Sequence, residues 1–286
     1  MIQEVISGLE AGSWYSLIGI AIVVVMKATD VPNFAMAEIG LFGAYVGYAL
    51  SENGVPFAVS IILAVLAGAA LGVLVDMVLM RHLSGLGHFP LLLMTIGLSL
   101  AIDALLALIW GSGGHQYNSP WTGRYIHAGG QVLSVAQLIC IGVGVVITVA
   151  VSWAFSSPIG AQMRAVAENR VIARTLGVNV HRVSAAAWAI ASAIAVLAMI
   201  LQTQDTVLGP DSGQSIIIYA FVAATIGGFS SFTGAIIGGL VLGVLQNLAG
   251  SWISTSGQSA VALIVVMVML LVRPGGFASA LRTREV

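Results

Sequence analysis

The chain has 286 residues, 59% of them apolar and only 7% charged, with a net charge of −1. A soluble domain carries about 25% charged residues, and a globule of this length cannot hide so much apolar surface from water. A soluble fold is therefore excluded, and so is nucleic-acid binding, which needs a basic face that this chain lacks.

The N-terminus reads MIQEVISGLEAGSWY, with Glu4 and Glu10 and no basic residue. A secretory signal peptide needs a positive leading region, so the first apolar segment is expected to stay as a membrane span. A spanning helix takes about 20 mostly apolar residues. Spans are predicted at 12–26, 34–50, 57–79, 89–110, 132–155, 184–204, 215–229, 232–250 and 258–273. The first, second, seventh and eighth are short or interrupted by glycine, giving an expected total of about nine, within eight to ten. The expected fold class is all-α, a polytopic transmembrane helix bundle forming one domain over 1–286, with a cytoplasmic loop at 157–182.

Basic residues orient these spans. With loop 156–183 in the cytoplasm, Lys27, Arg81, Arg164, Arg170, Arg174, Arg182, Arg273, Arg282 and Arg284 all fall on the cytoplasmic side, and only Arg124 lies outside. This is the positive-inside pattern. It places the N-terminus outside and the C-terminus in the cytoplasm.

Glycine pairs at GxxxG spacing recur at Gly43/Gly47, Gly68/Gly72, Gly234/Gly238 and Gly239/Gly243. In lipid such pairs let helices approach closely. The Gly-dense run Thr233–Gly243 also suggests a pair of adjustable half-helices. Three acids lie in or near spans. Glu38 follows Pro32 and Asn33, which should break the helix, and its role is either to brace that backbone or to act in transport. Asp76 is expected to pair with Arg81, and the role of Asp103 stays open. Intramembrane acids are costly and face a cavity or partner.

Several chemistries lack their residues. Cys140 is the single cysteine, which excludes an internal disulfide and a cysteine metal site. His82, His88, His115 and His127 lie in predicted turns and loops without metal-ligand spacing and are expected to be solvated. No Gly-Lys-Ser/Thr phosphate loop and no GxSxG elbow occurs.

The cytoplasmic segment SPIGAQMRAVAENRVIARTLGVNVHR (157–182) starts with Pro158, suited to a helix start. Gly177 suits a helix end. The residues between alternate polar and apolar types, so a short helix over 160–176 is predicted. It would either rest on lipid headgroups or dock a cytoplasmic partner, and its position between two spans favours docking.

Three stretches resemble the branched-chain amino acid ABC permeases. VPNFAMAEIGLFGAYVGY (31–48) is similar to that family's INFAHGE-then-GAY segment. GAQMRAVAENRVIARTLGVNVHRV (160–183) is similar to its cytoplasmic loop, and FVAATIGGFSSFTGAIIGGLVLGVLQNL (221–248) to its C-terminal Gly-rich segment. Met36-Ala37 stands where the family has His-Gly, and Gly227-Gly228-Phe229-Ser230-Ser231 where it has G-G-x-G-S.

The resemblance implies one permease subunit of an ATP-binding-cassette importer in a prokaryotic plasma membrane, working by alternating access. Its implied partners are a second permease, two cytoplasmic ATPases that bind ATP and magnesium, and an extracytoplasmic binding protein. The chain itself would need no cofactor and would not be an enzyme. Arg164, Ala165, Glu168, Arg174 and Gly177 would then couple it to the ATPase. Asn33, Glu38, Gly43, Gly227, Gly228, Gly234 and Gly238 would lie on the translocation path. Relatives handle branched-chain amino acids, urea, short amides and some organic acids. The rival readings are a stand-alone ion-coupled carrier with Glu38 or Asp103 as coupling acid, and an intramembrane enzyme, for which no catalytic pair is found.

Overall fold

The computed structural model describes residues 2–83, 87–128, 131–204, 206–229, 231–252 and 255–272. Each of the nine predicted spans falls on a helix. These are α1 (Ile2–Thr29), α2 (Met36–Glu52), α3 (Phe57–Val75), α5 (His88–Trp110), α6 (Val135–Ser156), α9 (Val180–Gln202), α10 (Ser212–Gly227), α11 (Phe232–Trp252) and α12 (Thr255–Val272). The α3 helix continues through a π-helical turn at Asp76–Met80 into the single turn α4 (Arg81–Leu83). Arg273, Arg282 and Arg284 lie outside the described residues.

Among the described residues, six helices are long and apolar enough to cross a membrane: α1, α3 with its extension, α5, α6, α9 and α11. The α2 and α10 helices have 17 and 16 residues. At 1.5 Å per residue each reaches about 25 Å, short of the roughly 30 Å hydrocarbon core.

The α1 and α9 helices are the buried axis of the bundle, while α3, α5 and α6 turn most of their apolar surface outward. Leu66, Leu100, Leu108, Val146 and Trp153 are among the large apolar side chains left exposed. That pattern fits a lipid-facing rim.

Small residues make the closest contacts. On α1, Gly8, Gly12 and Ser16 meet Gly239, Leu240, Gly243 and Val244 of α11. A Cβ on Gly12 would lie 2.6 Å from the Leu240 Cα, so the two backbones touch. Ser16 also donates a hydrogen bond to the Ile236 carbonyl at 2.9 Å. On α3 the residues Ser60, Ala64, Gly68 and Gly72 form one buried face. Gly68 meets Val196 and Gly72 meets Ser192, both on α9. The GxxxG reading as close packing therefore holds at Gly68/Gly72 and Gly239/Gly243. The half-helix reading does not, because α11 runs unbroken through Thr233–Gly243.

At one end of the bundle β1 (Tyr125–Ala128) and β2 (Gln131–Ser134) form an antiparallel hairpin. It replaces the helix predicted from residue 132, because Ser134 and Gln137 form a capping box that starts α6 later. The expectation of a freely solvated His115 also fails. His115 Nε2 bonds the Trp110 carbonyl at 3.0 Å, and its Nδ1 meets the Tyr48 hydroxyl at 3.2 Å. Its backbone pairs with Leu208 in an isolated bridge, tying two loops over the ends of α2 and α5.

Candidate functional site: a polar axis between α2, α5 and α10

Pro32 and Asn33 separate α1 from α2, as the sequence predicts. The Asn33 Oδ1 accepts from the Ala35 N–H at 2.9 Å, a local turn that competes with helix and starts α2 afresh. Phe34 stacks on Phe221 of α10 with ring centroids 4.3 Å apart. The break is thus braced by Asn33 and Phe34.

Glu38 sits in the first turn of α2 and is 0% exposed. Neither of its carboxylate oxygens accepts a well-formed hydrogen bond from the protein. Its own N–H and the Ser99 hydroxyl act on it as donors, and the Asp103 carboxylate is close enough for its charge to be felt. The carboxyl rests against Gly213 in the first turn of α10, where an added Cβ would come within 3.0 Å of Oε1. Asp103 accepts a bond from Gln214 Nε2 at 2.7 Å through Oδ2, while its buried Oδ1 has no protein partner.

Sequence reading did not connect these groups, although one signal was present. Thr95, Ser99 and Asp103 recur every four residues along an otherwise apolar α5, which puts them on one face.

At the other end of this axis lies a cleft of about 250 Å³, lined by Asn33, Asp76, Arg81, Thr95, Arg170, Arg174, Ser184 and Trp188, among others. The expected Asp76–Arg81 ion pair is present, with Nε to Oδ2 at 3.1 Å. Arg81 also reaches the His181 carbonyl at 3.2 Å.

The predicted single helix over 160–176 is two helices, α7 (Pro158–Glu168) and α8 (Arg170–Thr175). Asn169 causes the break. Its extended backbone lets the side chain accept from the N–H groups of Val171 and Ile172 at 2.9 and 3.0 Å, a cap for which asparagine is well suited. Gly177 ends α8 with φ +85°, as its glycine identity suggests.

Met163, Val166 and Ala173 are buried and anchor α7 and α8 to the bundle. Arg164 donates to the Phe155 carbonyl at the end of α6. Arg170 donates to the Ala28 carbonyl in the last turn of α1 at 2.6 Å. Glu168 and Arg174 are exposed and Ala165 is half-buried. Val171, Ile172 and Leu176 are 72%, 56% and 75% exposed, forming an apolar face beside the cleft.

The structure therefore places Asn33 and Arg174 on one cleft, while Glu38 lies outside its lining, beside Ser99, one turn along α5 from the cleft residue Thr95. The glycines expected on the path, Gly228 apart, sit in close contacts between helices. Gly43 packs on Val196, Gly227 and Gly234 meet each other between α10 and α11, and Gly238 would put a Cβ 2.6 Å from the Ala223 carbonyl. Gly228 is the left-handed C-cap of α10, with φ +78°. Ser230 lies outside the described residues.

A family model described as "Branched-chain amino acid transport system / permease component" matches residues 5–273. The chain is 30% identical over 290 residues to the high-affinity branched-chain amino acid transport system permease protein LivH of Salmonella typhimurium, covering 96% of this chain and 94% of that one. It is 29% identical over 294 residues to the permease protein BraD of Pseudomonas aeruginosa, with the same coverage. A probable LivH of Methanocaldococcus jannaschii is 24% identical over 91% of this chain and 87% of its own length. Among solved structures, PsaBC from Streptococcus pneumoniae in complex with Fab shares the fold, with a TM-score of 0.53 at 15% identity over 99% of this chain and 100% of that one.

Proposed function

Because this chain belongs to the branched-chain amino acid transport permease family, we propose that it is the membrane subunit of an ATP-driven importer in a prokaryotic plasma membrane. Its cargo is a branched-chain amino acid or a related small polar solute. The remaining subunits are a second permease, two cytoplasmic ATPases holding ATP and magnesium, and an extracytoplasmic binding protein. The short α2 and α10 helices, extended by their flanking loops or met by a locally thinner bilayer, and α12 complete nine spans with the N-terminus outside, in keeping with the distribution of basic residues.

The observation that carries this reading is the α7–α8 unit. Its inner face is built into the bundle through Met163, Val166 and Ala173, and its arginines hold the ends of α1 and α6. Its outer face shows Val171, Ile172 and Leu176 to the aqueous side. A rigidly anchored helix with an uncovered apolar face fits a lever that docks in a groove of a partner protein. Motion of that lever pulls on the ends of α1 and α6, and the cleft between Asn33 and Arg174 opens or closes with it. Solute passes along the axis from the Glu38 region to that cleft, as alternating access requires. The glycines at 43, 227, 234 and 238 serve as contact points on which the helices bordering this path re-pack.

Copurification in mild detergent tests the reading. The tagged chain should bring down two ATPase subunits and a second permease. Arg164→Ala with Glu168→Ala should weaken that capture. A chain that emerges alone, yet drives transport in liposomes without ATPases, would instead be an ion-coupled carrier using Glu38 or Asp103.

A further inference from the structure

We propose that Glu38, Asp103 and Gln214 form a recognition site for the nitrogen end of the transported solute, an ammonium group or an amide N–H. This rests on the transport reading for its physiological meaning, but the site itself can be tested without transport.

The groups come from three helices, α2, α5 and α10, and their burial is graded. Gln214 and Asp211 are exposed, Asp103 is 8% exposed and Glu38 is 0% exposed. The arrangement has a polar mouth and a closed acidic end. Three acceptor atoms at that end, both Glu38 oxygens and Asp103 Oδ1, have no well-formed bond from the protein. Buried carboxylate oxygens without well-formed bonds are costly, and a donor from outside the chain would satisfy them better than the Glu38 N–H and the Ser99 hydroxyl do.

The sign of the site is also set. No Lys or Arg occurs anywhere in α2, α5 or α10. Asp103 lies within electrostatic reach of Glu38, and Asp211 within reach of Asp103. Acceptors of one charge sign, unmatched by any basic side chain on their own helices, select a donor that is cationic or rich in N–H groups. Gly213 adds room. It lets the backbone of α10 come against the Glu38 carboxyl, where any side chain would intrude on the acceptor.

Two measurements on the full chain test the proposal. The first uses the complex in proteoliposomes and compares uptake of L-leucine with that of 4-methylpentanoate, which keeps the carboxylate and branched chain but lacks the amine. The second follows the thermal midpoint of the detergent-solubilised complex with each compound at millimolar concentration. Glu38→Gln is nearly isosteric and should assemble normally, as should Asp103→Asn.

The expected result is that leucine raises the wild-type midpoint and 4-methylpentanoate does not. Glu38→Gln should remove that shift and cut leucine uptake at least tenfold. Asp103→Asn should do the same more weakly. Stabilisation by leucine without ATP-driven uptake would keep the site and remove the importer reading. ATP-driven leucine uptake within twofold of wild type in Glu38→Gln would overturn the site and leave the importer reading intact. Equal stabilisation by sodium chloride and by leucine would overturn it too, by making the occupant an inorganic cation.

Discussion

Ser184 donates its hydroxyl to the Asp76 carboxylate at 2.5 Å, across the contact between the end of α3 and the start of α9. The other oxygen of Asp76 holds Arg81, and Asp76 itself is 1% exposed. It stands at the first residue of the π-helical turn, an insertion that re-aims the helix end toward α9. This joint lies on the wall of the cleft and beside the segment through which α8 enters α9, so it links the anchored lever to α3.

Breaking that joint should destabilise the bundle in graded steps. Ser184→Ala leaves a buried carboxylate short of a donor and should cost about 1–3 kcal/mol. Arg81→Ala should cost less, because the Arg81 side chain is itself partly solvated and its removal lets water reach the Asp76 oxygen that it held. Thermal unfolding of the solubilised protein will rank the two. An Arg81 variant less stable than the Ser184 variant would show that the hydroxyl is not the main tie.

Gly12→Ala should impair folding far more than its size suggests. The new methyl would lie 2.6 Å from the Leu240 Cα, against backbone that cannot rotate away. Overpacking of this kind costs about 1–3 kcal/mol or more. Gly97→Ala and Gly142→Ala are the matched controls, since nothing stands within 4 Å of either added Cβ. They should be neutral, or stabilising by up to about 1 kcal/mol. Yield of monodisperse protein and thermal midpoint decide the comparison.

Leu176→Glu should separate partner binding from folding. Leu176 is 75% exposed, so its replacement should change stability by no more than about 0.5 kcal/mol. Loss of an apolar anchor should nevertheless reduce ATPase capture severalfold. Unchanged capture in a correctly folded variant would move the docking face away from α8.

His115→Ala should loosen the end of the bundle opposite the cleft. The imidazole bonds Trp110 and Tyr48 there, and its ring packs on Tyr45 at a centroid distance of 6.0 Å. A Ser99→Cys reporter, in a Cys140→Ala background, measures the change with a membrane-impermeant thiol reagent. Labelling from outside should rise about tenfold when His115 is removed, as expected if this imidazole helps close the path. Equal labelling with and without His115 would show that the loops close the end by other means.

Much of this molecule is legible residue by residue. Pro32 and Asn33 announce the break before α2, Gly177 the end of α8, and the Asp76–Arg81 spacing an ion pair, because each depends on chemistry within a few positions. Asn169 could have been read as a cap as well, yet good helix formers on both sides masked it. The polar stripe Thr95–Ser99–Asp103 was equally visible, but not what it faces.

Charge depletion and long apolar runs determined by themselves that the chain is a multi-pass helical membrane protein, since lipid tolerates little else. They also located most of its helices, though not the hairpin before α6 or the break at Asn169. The tertiary structure alone decided that Gly12 meets Leu240, that Glu38, Asp103 and Gln214 converge, and that His115 pairs with Leu208. The reason is physical. These helices are apolar nearly all round, so hydrophobic periodicity does not say which face turns inward. In lipid the choice falls to close backbone approach and a few polar bonds between residues distant in the chain, and these exist only once the helices have packed.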